Sequence, residues 1–370
     1  MQSKTRKWLH VGLFSIVILL TLPVGPLIRD FLYERFGMRS VIFFVAAVLT
    51  AGFVTALVHA FRKKGGLPLL QLFWFLLVGY LYWIAIKRTF KVPIESIHFV
   101  EYGIVSLLMY RALRESFNET YIFLASFLLT YSLGIVDEFI QFLLPNRVGA
   151  FRDVLFNAVS GGLVQMLLWR GIMPEGLLKG LPARSFKLVG ILASMNCLAT
   201  GFFISRVSDF GYLIKDPEVG TFFSRLSGEE IMETDSLRWK EYAEALDSSL
   251  EVPYSKFLAQ TKDPFLYEMR VHIFRRDRHF EDESYRVSCC EEEILRKYFV
   301  NTLTHSLYNW DDENTETCEE KDRMCSKYRS PVSQELIVRY DERSMWIVVL
   351  LSCGAFLILS SRKSLTSRPE

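Results

Sequence analysis

Between Gly134 and Gly162 the chain reads GIVDEFIQFLLPNRVGAFRDVLFNAVSGG, an apolar stretch broken by Asp137, Glu138, Gln141, Arg147, Asp153 and Asn157. A second polar set, ESIHFVEYG, puts His98, Glu101 and Tyr102 into another apolar run. These residue types have defined chemistry. Carboxylates and an imidazole can move protons or hold a divalent cation. A guanidinium can grip a phosphate or carboxylate in fork geometry. Tyrosine, glutamine and asparagine can hydrogen-bond hydroxyls and amides. No Ser or Cys nucleophile with an adjacent base accompanies them, which disfavours acyl transfer.

The spacing says which elements must carry them. His98 and Glu101 are three apart and His98 and Tyr102 four apart, so they share one helical face. Asp137 and Gln141 are four apart, and Glu138 and Gln141 three apart. Asp153 and Asn157 are four apart, with Gly161 continuing the line. Ionisable groups in membrane helices cost roughly 2.5–3.5 kcal/mol each at the centre, so they persist where they pair or line a wet cavity. Single residues at helix ends near the headgroups need no such explanation, and Asp153 suits a helix start. Nine polar residues on three faces, with Glu101 and Asn157 a turn or more inside their helices, read instead as a site.

The chain as a whole supports a membrane setting. Of 370 residues, 51% are hydrophobic, and the mean hydropathy is +0.21. That average hides a split. Residues 206–344 carry 20 Lys and Arg against 30 Asp and Glu, net −10, and the remainder is net +12. A membrane span needs roughly 17–25 apolar residues. Such runs occupy Trp8–Ile28, Ser40–Phe61, Leu67–Ile86 and Tyr121–Leu144, with weaker ones at Ile97–Leu113, Val154–Trp169, Leu188–Ile204 and Met345–Leu359. The first follows Lys4, Arg6 and Lys7 as a signal peptide would. Its apolar region is too long for one and no A-x-A site follows, so it reads as a retained helix.

The expected fold is therefore an all-α multi-pass membrane bundle of about eight transmembrane helices, with a small α+β extracytoplasmic domain inserted before the last helix. The segments are two N-terminal helices (1–66), a four-helix membrane domain (67–170), a loop and seventh helix (171–205), the soluble domain (206–344), and a last helix with a short tail (345–370). With the N-terminus in the cytoplasm, short inside segments carry 15 Lys and Arg against 8 outside, the usual positive-inside bias. Both termini are then cytoplasmic and 206–344 lies outside. Alternation puts the start of the fourth helix, the end of the fifth and the start of the sixth on one side, so the three polar faces share one end of the bundle.

The cysteines agree with an oxidising exterior. Cys197 and Cys353 lie in apolar helices, whereas Cys289, Cys290, Cys318 and Cys325 lie in 206–344. Two disulfides are expected. A vicinal Cys289–Cys290 bridge would be strained, so each pairs with Cys318 or Cys325. The C-C and C-x6-C spacings fit no common zinc knuckle. Within this domain a helix is expected over Ser236–Leu250, strands over Phe265–Phe274 and Glu335–Tyr340, and a helix over Glu291–Leu307 that opens on three acids. His272, His279 and His305 form no H-E-x-x-H set and read as packing or surface residues. No basic patch or Walker-type glycine loop is present, so nucleic acid is not an expected partner.

The paired motifs, H-F-x-E-Y-G and D-E-x-x-Q-x-x-x-P-x-R followed by D-x-x-x-N-x-x-x-G, resemble the VanZ-like family of bacterial membrane proteins. The residues carrying the resemblance are His98, Phe99, Glu101, Tyr102, Asp137, Glu138, Gln141, Pro145, Arg147, Asp153, Asn157 and Gly161, and it covers roughly residues 70–170. Where members of that family often carry Lys or Asp shortly before the histidine, this chain has Glu95. The family is named for an accessory protein of glycopeptide resistance associated with low-level teicoplanin resistance, and its resemblance implies no catalytic roles.

The functional expectation is an integral protein of the bacterial cytoplasmic (inner) membrane that uses a polar site to hold an amphiphilic cell-envelope ligand, a glycopeptide or a lipid-linked wall precursor. Membrane lipids are its other expected partners. The site is His98, Glu101, Tyr102, Asp137, Glu138, Gln141, Arg147, Asp153 and Asn157, with no metal and no cofactor expected. The alternative is a membrane-embedded enzyme in which Asp137, Glu138 and Asp153, with His98, do acid/base or metal-assisted chemistry on an envelope lipid or glycan. A transporter is disfavoured, because no inverted repeat is evident and the acids sit at one end rather than the midplane.

Overall fold

The computed structural model describes residues 2–90, 92–145, 147–177, 183–320 and 325–361. The expected tail beyond the last helix, Lys179 of the sixth connection and Lys91 lie outside them. In chain order the helices are α1 (Gln2–Thr21), α2 (Gly25–Phe36), α3 (Ser40–Lys64), α4 (Leu69–Arg88), α5 (Ile97–Arg114), α6 (Tyr121–Leu143), α7 (Phe151–Met166) and α8 (Ala183–Val207). Strands β1 (Tyr212–Asp216) and β2 (Gly220–Ser224) follow, then α9 (Gly228–Asp247), α10 (Tyr254–Gln260), α11 (Pro264–Glu281), α12 (Tyr285–Tyr298), α13 (Val300–Thr304), α14 (Asp312–Glu320) and α15 (Glu342–Ser361). The chain divides into two compact units, Met1–Val207 with Trp346–Glu370, and Ser208–Met345.

In the first unit, α3, α4, α6, α8 and α15 are long and apolar enough to cross a membrane, and α1 with α2 makes a sixth if a bent pair counts as one span. This is the make-up of a helical membrane protein. Outward side chains such as Phe43, Leu69, Leu76 and Leu351 stay exposed, as lipid-facing residues do. The run expected as one helix over Trp8–Ile28 is instead broken, with α1 and α2 bent by 73°. The cause is local: Pro23, Gly25 and Pro26 interrupt the helical hydrogen bonds, and proline cannot donate to the preceding turn.

Helix α5 is the centre of the unit, packing on α1, α6 and α7. Val11 and Ile18 of α1 bury against Val105, Met109 and Ala112. Small residues allow close approach, as at membrane helix interfaces generally. Gly103 faces Ser160, Gly134 faces Asn157 and Gly161 faces Thr130. Polar bonds cross the same seams: Ser160 Oγ donates to Phe99 O at 2.8 Å, Ser106 Oγ to Gly161 O at 2.9 Å, and Gln165 Nε2 to Ser106 Oγ at 2.7 Å. Helix α7 then widens into a π turn over Leu167–Ile172.

The second unit is mostly helical with a two-stranded antiparallel sheet in which Ile214 pairs with Phe222. Gly220 has φ +93°, and a Cβ there would lie 2.4 Å from Cys325 O, so glycine is required at this turn. The core joins Phe222, Ile231, Leu246, Phe265, Met269, Ile273, Ile294 and Leu295. Helix α9, capped by a Ser227–Glu230 capping box, contains the expected 236–250 helix almost entirely. Phe265–Phe274 is helix α11 and not a strand. Asp263 caps it and Pro264 takes its first position, and Phe265, Met269 and Ile273 recur every four residues on the buried face. Glu335–Tyr340 contributes one bridge, Phe210 to Ile337, and no strand. The three acids from Glu291 lie in the interior of α12 and do not open a helix, because Glu291 and Glu292 are buried partners of α11 cations. His272 is buried beside Glu291, and His305 is exposed and stacked on Trp239 at 4.0 Å.

Two disulfides fasten α12: Cys289–Cys318 and Cys290–Cys325. Cys197 and Cys353 are free. The second bridge closes a separation of 35 residues, for which loop entropy gives about 4 kcal/mol. Cys290→Ser is expected to lower the unfolding midpoint of the second unit in non-reducing chemical denaturation of the full chain. An unchanged midpoint would show that the bridge adds nothing.

Candidate functional site

The site is built where the start of α5, the end of α6 and the start of α7 converge. A 3₁₀ turn, Pro93–Ser96, leads into α5 and buries Glu95. Leu144 ends α6 in an extended conformation, and the chain returns through Arg147–Ala150 to start α7. That return lies flat on α6. A Cβ on Gly149 would sit 2.3 Å from the Glu138 carbonyl oxygen and 2.8 Å from Phe142 Cβ. The close approach lets Ala150 N–H donate to Glu138 Oε2 at 3.1 Å.

The polar residues form a connected network. Tyr102 Oη donates to Asp137 Oδ2 at 2.7 Å. Gln141 Nε2 donates to Glu138 Oε1 at 2.9 Å and, at 3.4 Å, to Asp137 Oδ1. Gln141 Oε1 in turn accepts from Arg147 through Nε at 3.0 Å and through Nη2. Asp137, Glu138 and Asn157 are 0% exposed, and Gln141 is 2% exposed. Arg152 pairs with Glu95, and Glu101 Oε2 stands 3.9 Å from His98 Nδ1.

A cavity of about 400 Å³ opens beside this network, lined among others by Glu95, His98, Glu101, Asp137, Arg147 and Asp153. That volume lies in the range of small-molecule sites. Its far wall is the α1–α2 corner, including Thr21, Gly25 and Arg29. Arg147 Nη1 packs against Gly25, where a Cβ would come within 2.9 Å.

All nine expected residues belong to this region. His98, Glu101, Asp137, Gln141, Arg147 and Asp153 reach the cavity. Tyr102, Glu138 and Asn157 are not among its lining, Tyr102 and Glu138 being hydrogen-bond partners of the network and Asn157 packing against Gly134. Glu95, Arg152 and the α1–α2 corner were not among the expected site residues. The helix-breaking Pro23-Val-Gly-Pro26 is the sequence signal that points to the corner.

The electrostatics are uneven. Glu95, Glu101, Asp137, Glu138 and Asp153 face two local guanidiniums, Arg147 and Arg152, while Arg29 pairs with its neighbour Asp30. Arg147 makes no ion pair within 4 Å among the described residues; its hydrogen bonds go to an uncharged amide oxygen. Four buried polar atoms of the nine expected residues have no hydrogen-bond partner among the described residues: His98 Nδ1, Asp153 Oδ1 and both amide atoms of Asn157. One ligand atom from each of His98, Glu138 and Asp153 lies within 4.8 Å of the other two. The arrangement can therefore hold an anion at Arg147, accept hydrogen bonds from a polar headgroup, and gather acidic and imidazole groups at one point. In comparisons with known proteins, no family model, no curated protein and no solved structure matches the chain.

Proposed function

We propose that this chain is a VanZ-like integral membrane protein of the bacterial cell envelope, with eight spans, cytoplasmic termini and residues 206–344 outside the inner membrane. Its polar cavity binds the anionic head of an amphiphilic envelope ligand, a glycopeptide or a lipid-linked wall precursor. One observation carries the reading: Arg147 reaches a cavity of about 400 Å³ and spends its hydrogen bonds on Gln141 rather than on any carboxylate. A guanidinium held this way keeps its charge for a phosphate or carboxylate. The surrounding carboxylates suit hydroxyl and amide donors of a sugar or peptide headgroup. The two disulfides support an oxidising location for the second unit.

The convergence of His98, Glu138 and Asp153 favours a second reading, an enzyme using paired acid and base groups on an envelope lipid or glycan. Binding is preferred because Arg147 reaches the cavity and forms no ion pair among the described residues.

Single replacement of Glu101, Glu138, Arg147 and Asp153 by alanine tests the proposal. The expected result is variants that accumulate in the membrane near the parental level while susceptibility to glycopeptides or other envelope drugs changes. Loss of accumulation in every variant would mean that these residues serve the fold and would defeat the proposal.

A further inference from the structure

We infer that His98, Glu138 and Asp153 form a binding site for a divalent first-row metal ion of the zinc or manganese type. Three donors from three different helices, α5, α6 and α7, bring ligand atoms within 4.8 Å of one another. Metal bonds of about 2.0–2.2 Å in tetrahedral geometry put ligand atoms roughly 3.3–3.6 Å apart, so a pair at the outer limit of 4.8 Å closes by about 1.2–1.5 Å, shared between two side chains.

The bonding of His98 and Asp153 is otherwise incomplete. His98 is 8% exposed, lines the cavity, and its Nδ1 has no hydrogen-bond partner among the described residues. Asp153 Oδ1 likewise accepts no hydrogen bond among the described residues, with Arg152 Nε 3.8 Å away. No hydrogen bond joins the three residues to one another among the described residues, so a shared proton does not account for their meeting. Two ionised carboxylates and the lone-pair nitrogen of a neutral imidazole are all acceptors and cannot hydrogen-bond one another. Buried polar groups left in that state are costly, and a cation satisfies His98 and Asp153 together, with Glu138 as the third donor.

The surroundings are those of a metal centre. Glu138 is oriented by Gln141 Nε2 and by Ala150 N–H, and Gln141 is itself held by Arg147. Such outer partners fix the direction of metal ligands. One nitrogen with two carboxylate oxygens suits manganese or zinc better than magnesium, which prefers oxygen and water. Three protein ligands beside a cavity leave coordination positions open, as in sites that bind a further molecule and unlike closed structural sites. Asp137 lies outside the set and is hydrogen-bonded to Tyr102 and Gln141. The cation assignment stands on these side chains alone. Its use as a second grip, beside Arg147, on a phosphate rests on the proposed function.

The test uses the full chain purified in detergent without reductant and stripped of metal. Zinc is titrated against a chromogenic chelator, and thermal unfolding is followed with zinc and with magnesium. One equivalent of zinc per chain, with a rise in unfolding temperature that magnesium does not reproduce, is expected. His98→Gln, Glu138→Gln and Asp153→Asn should each weaken zinc binding at least tenfold, whereas Cys197→Ser and Cys353→Ser should not. Wild-type protein that binds less than one equivalent, or gains no stability from zinc, overturns the inference whether or not the variants fold. So does full binding in the three site variants, or loss of binding in the cysteine variants. Zinc binding that persists in protein unable to bind an envelope amphiphile would defeat the proposed function and leave the metal site standing. The opposite pattern would defeat only the metal site.

Discussion

Glu291→Ala is expected to destabilise the second unit by roughly 3–5 kcal/mol, the range for removing one partner of a buried ion pair. Glu291 is 0% exposed. Its Oε2 meets His272 Nδ1 at 2.6 Å, and its Oε1 accepts from Arg275 Nε at 2.8 Å, Tyr328 Oη at 2.7 Å and Ser330 Oγ at 2.9 Å. Alanine would remove the shared partner of His272, Arg275, Tyr328 and Ser330 from a buried position. The loss is a large part of the roughly 5–15 kcal/mol that stabilises a typical domain, and corresponds to a fall of roughly 10–20 °C in unfolding temperature. Thermal unfolding of the full chain, followed by near-ultraviolet dichroism, measures it. A fall of only a degree or two would show that the network is dispensable.

The same residue sets a pH dependence. Burial alone would raise the Glu291 carboxyl, but the attraction of His272 and the hydrogen bonds from His272, Arg275 and Tyr328 outweigh it and hold it at about 2. The folded state therefore binds the proton less readily than the unfolded chain, and stability rises with pH through this window. Its contribution is complete above the ordinary carboxylate range and is lost as pH falls from about 4.5 toward 2. Glu291→Gln should flatten that part of the stability profile. An unchanged acid limb would assign the dependence to other groups.

Gly149→Val is expected to disable the cavity while leaving the membrane helices inserted. The first added carbon would lie 2.3 Å from the Glu138 carbonyl and 3.0 Å from the Phe142 amide nitrogen, both backbone atoms that cannot rotate away. The return from Arg147 to Ala150 must lift, at a cost of roughly 1–3 kcal/mol for such overpacking. Lifting it breaks the Ala150–Glu138 and Arg147–Gln141 bonds together. Gly52→Ala is the control, because a Cβ there meets nothing within 4 Å. Zinc titration of both variants checks this. Wild-type binding by Gly149→Val would show that the return is not needed to assemble the site.

The polar faces of α5, α6 and α7 were legible because intramembrane polar residues are few and their three- and four-residue spacings are unambiguous. The network between them was not, since Tyr102–Asp137 and Gln141–Glu138 depend on side-chain directions that spacing alone does not give. The α1–α2 corner was missed because hydropathy averages across Pro23 and Pro26, although proline chemistry marks the break. Helix α11 was misread because the aromatic and β-branched content of Phe265–Phe274 suggested a strand. The Asp263 cap and the four-residue recurrence of Phe265, Met269 and Ile273 outweigh that content. The acids at Glu291 looked like a helix start because their partners, His272, Arg275 and Arg276, come from a different helix.

The central claim is that Arg147 makes the cavity a site for an anionic amphiphile. The most direct measurement is equilibrium binding of a polyprenyl diphosphate and of teicoplanin to the full chain in lipid nanodiscs, for the wild type and Arg147→Ala. Saturable wild-type binding of one of the two is predicted. It should weaken at least tenfold in the variant, because a hydrogen bond to a charged group is worth roughly 1.5–3 kcal/mol. No saturable binding of either molecule, or equal binding by wild type and Arg147→Ala, would contradict the account.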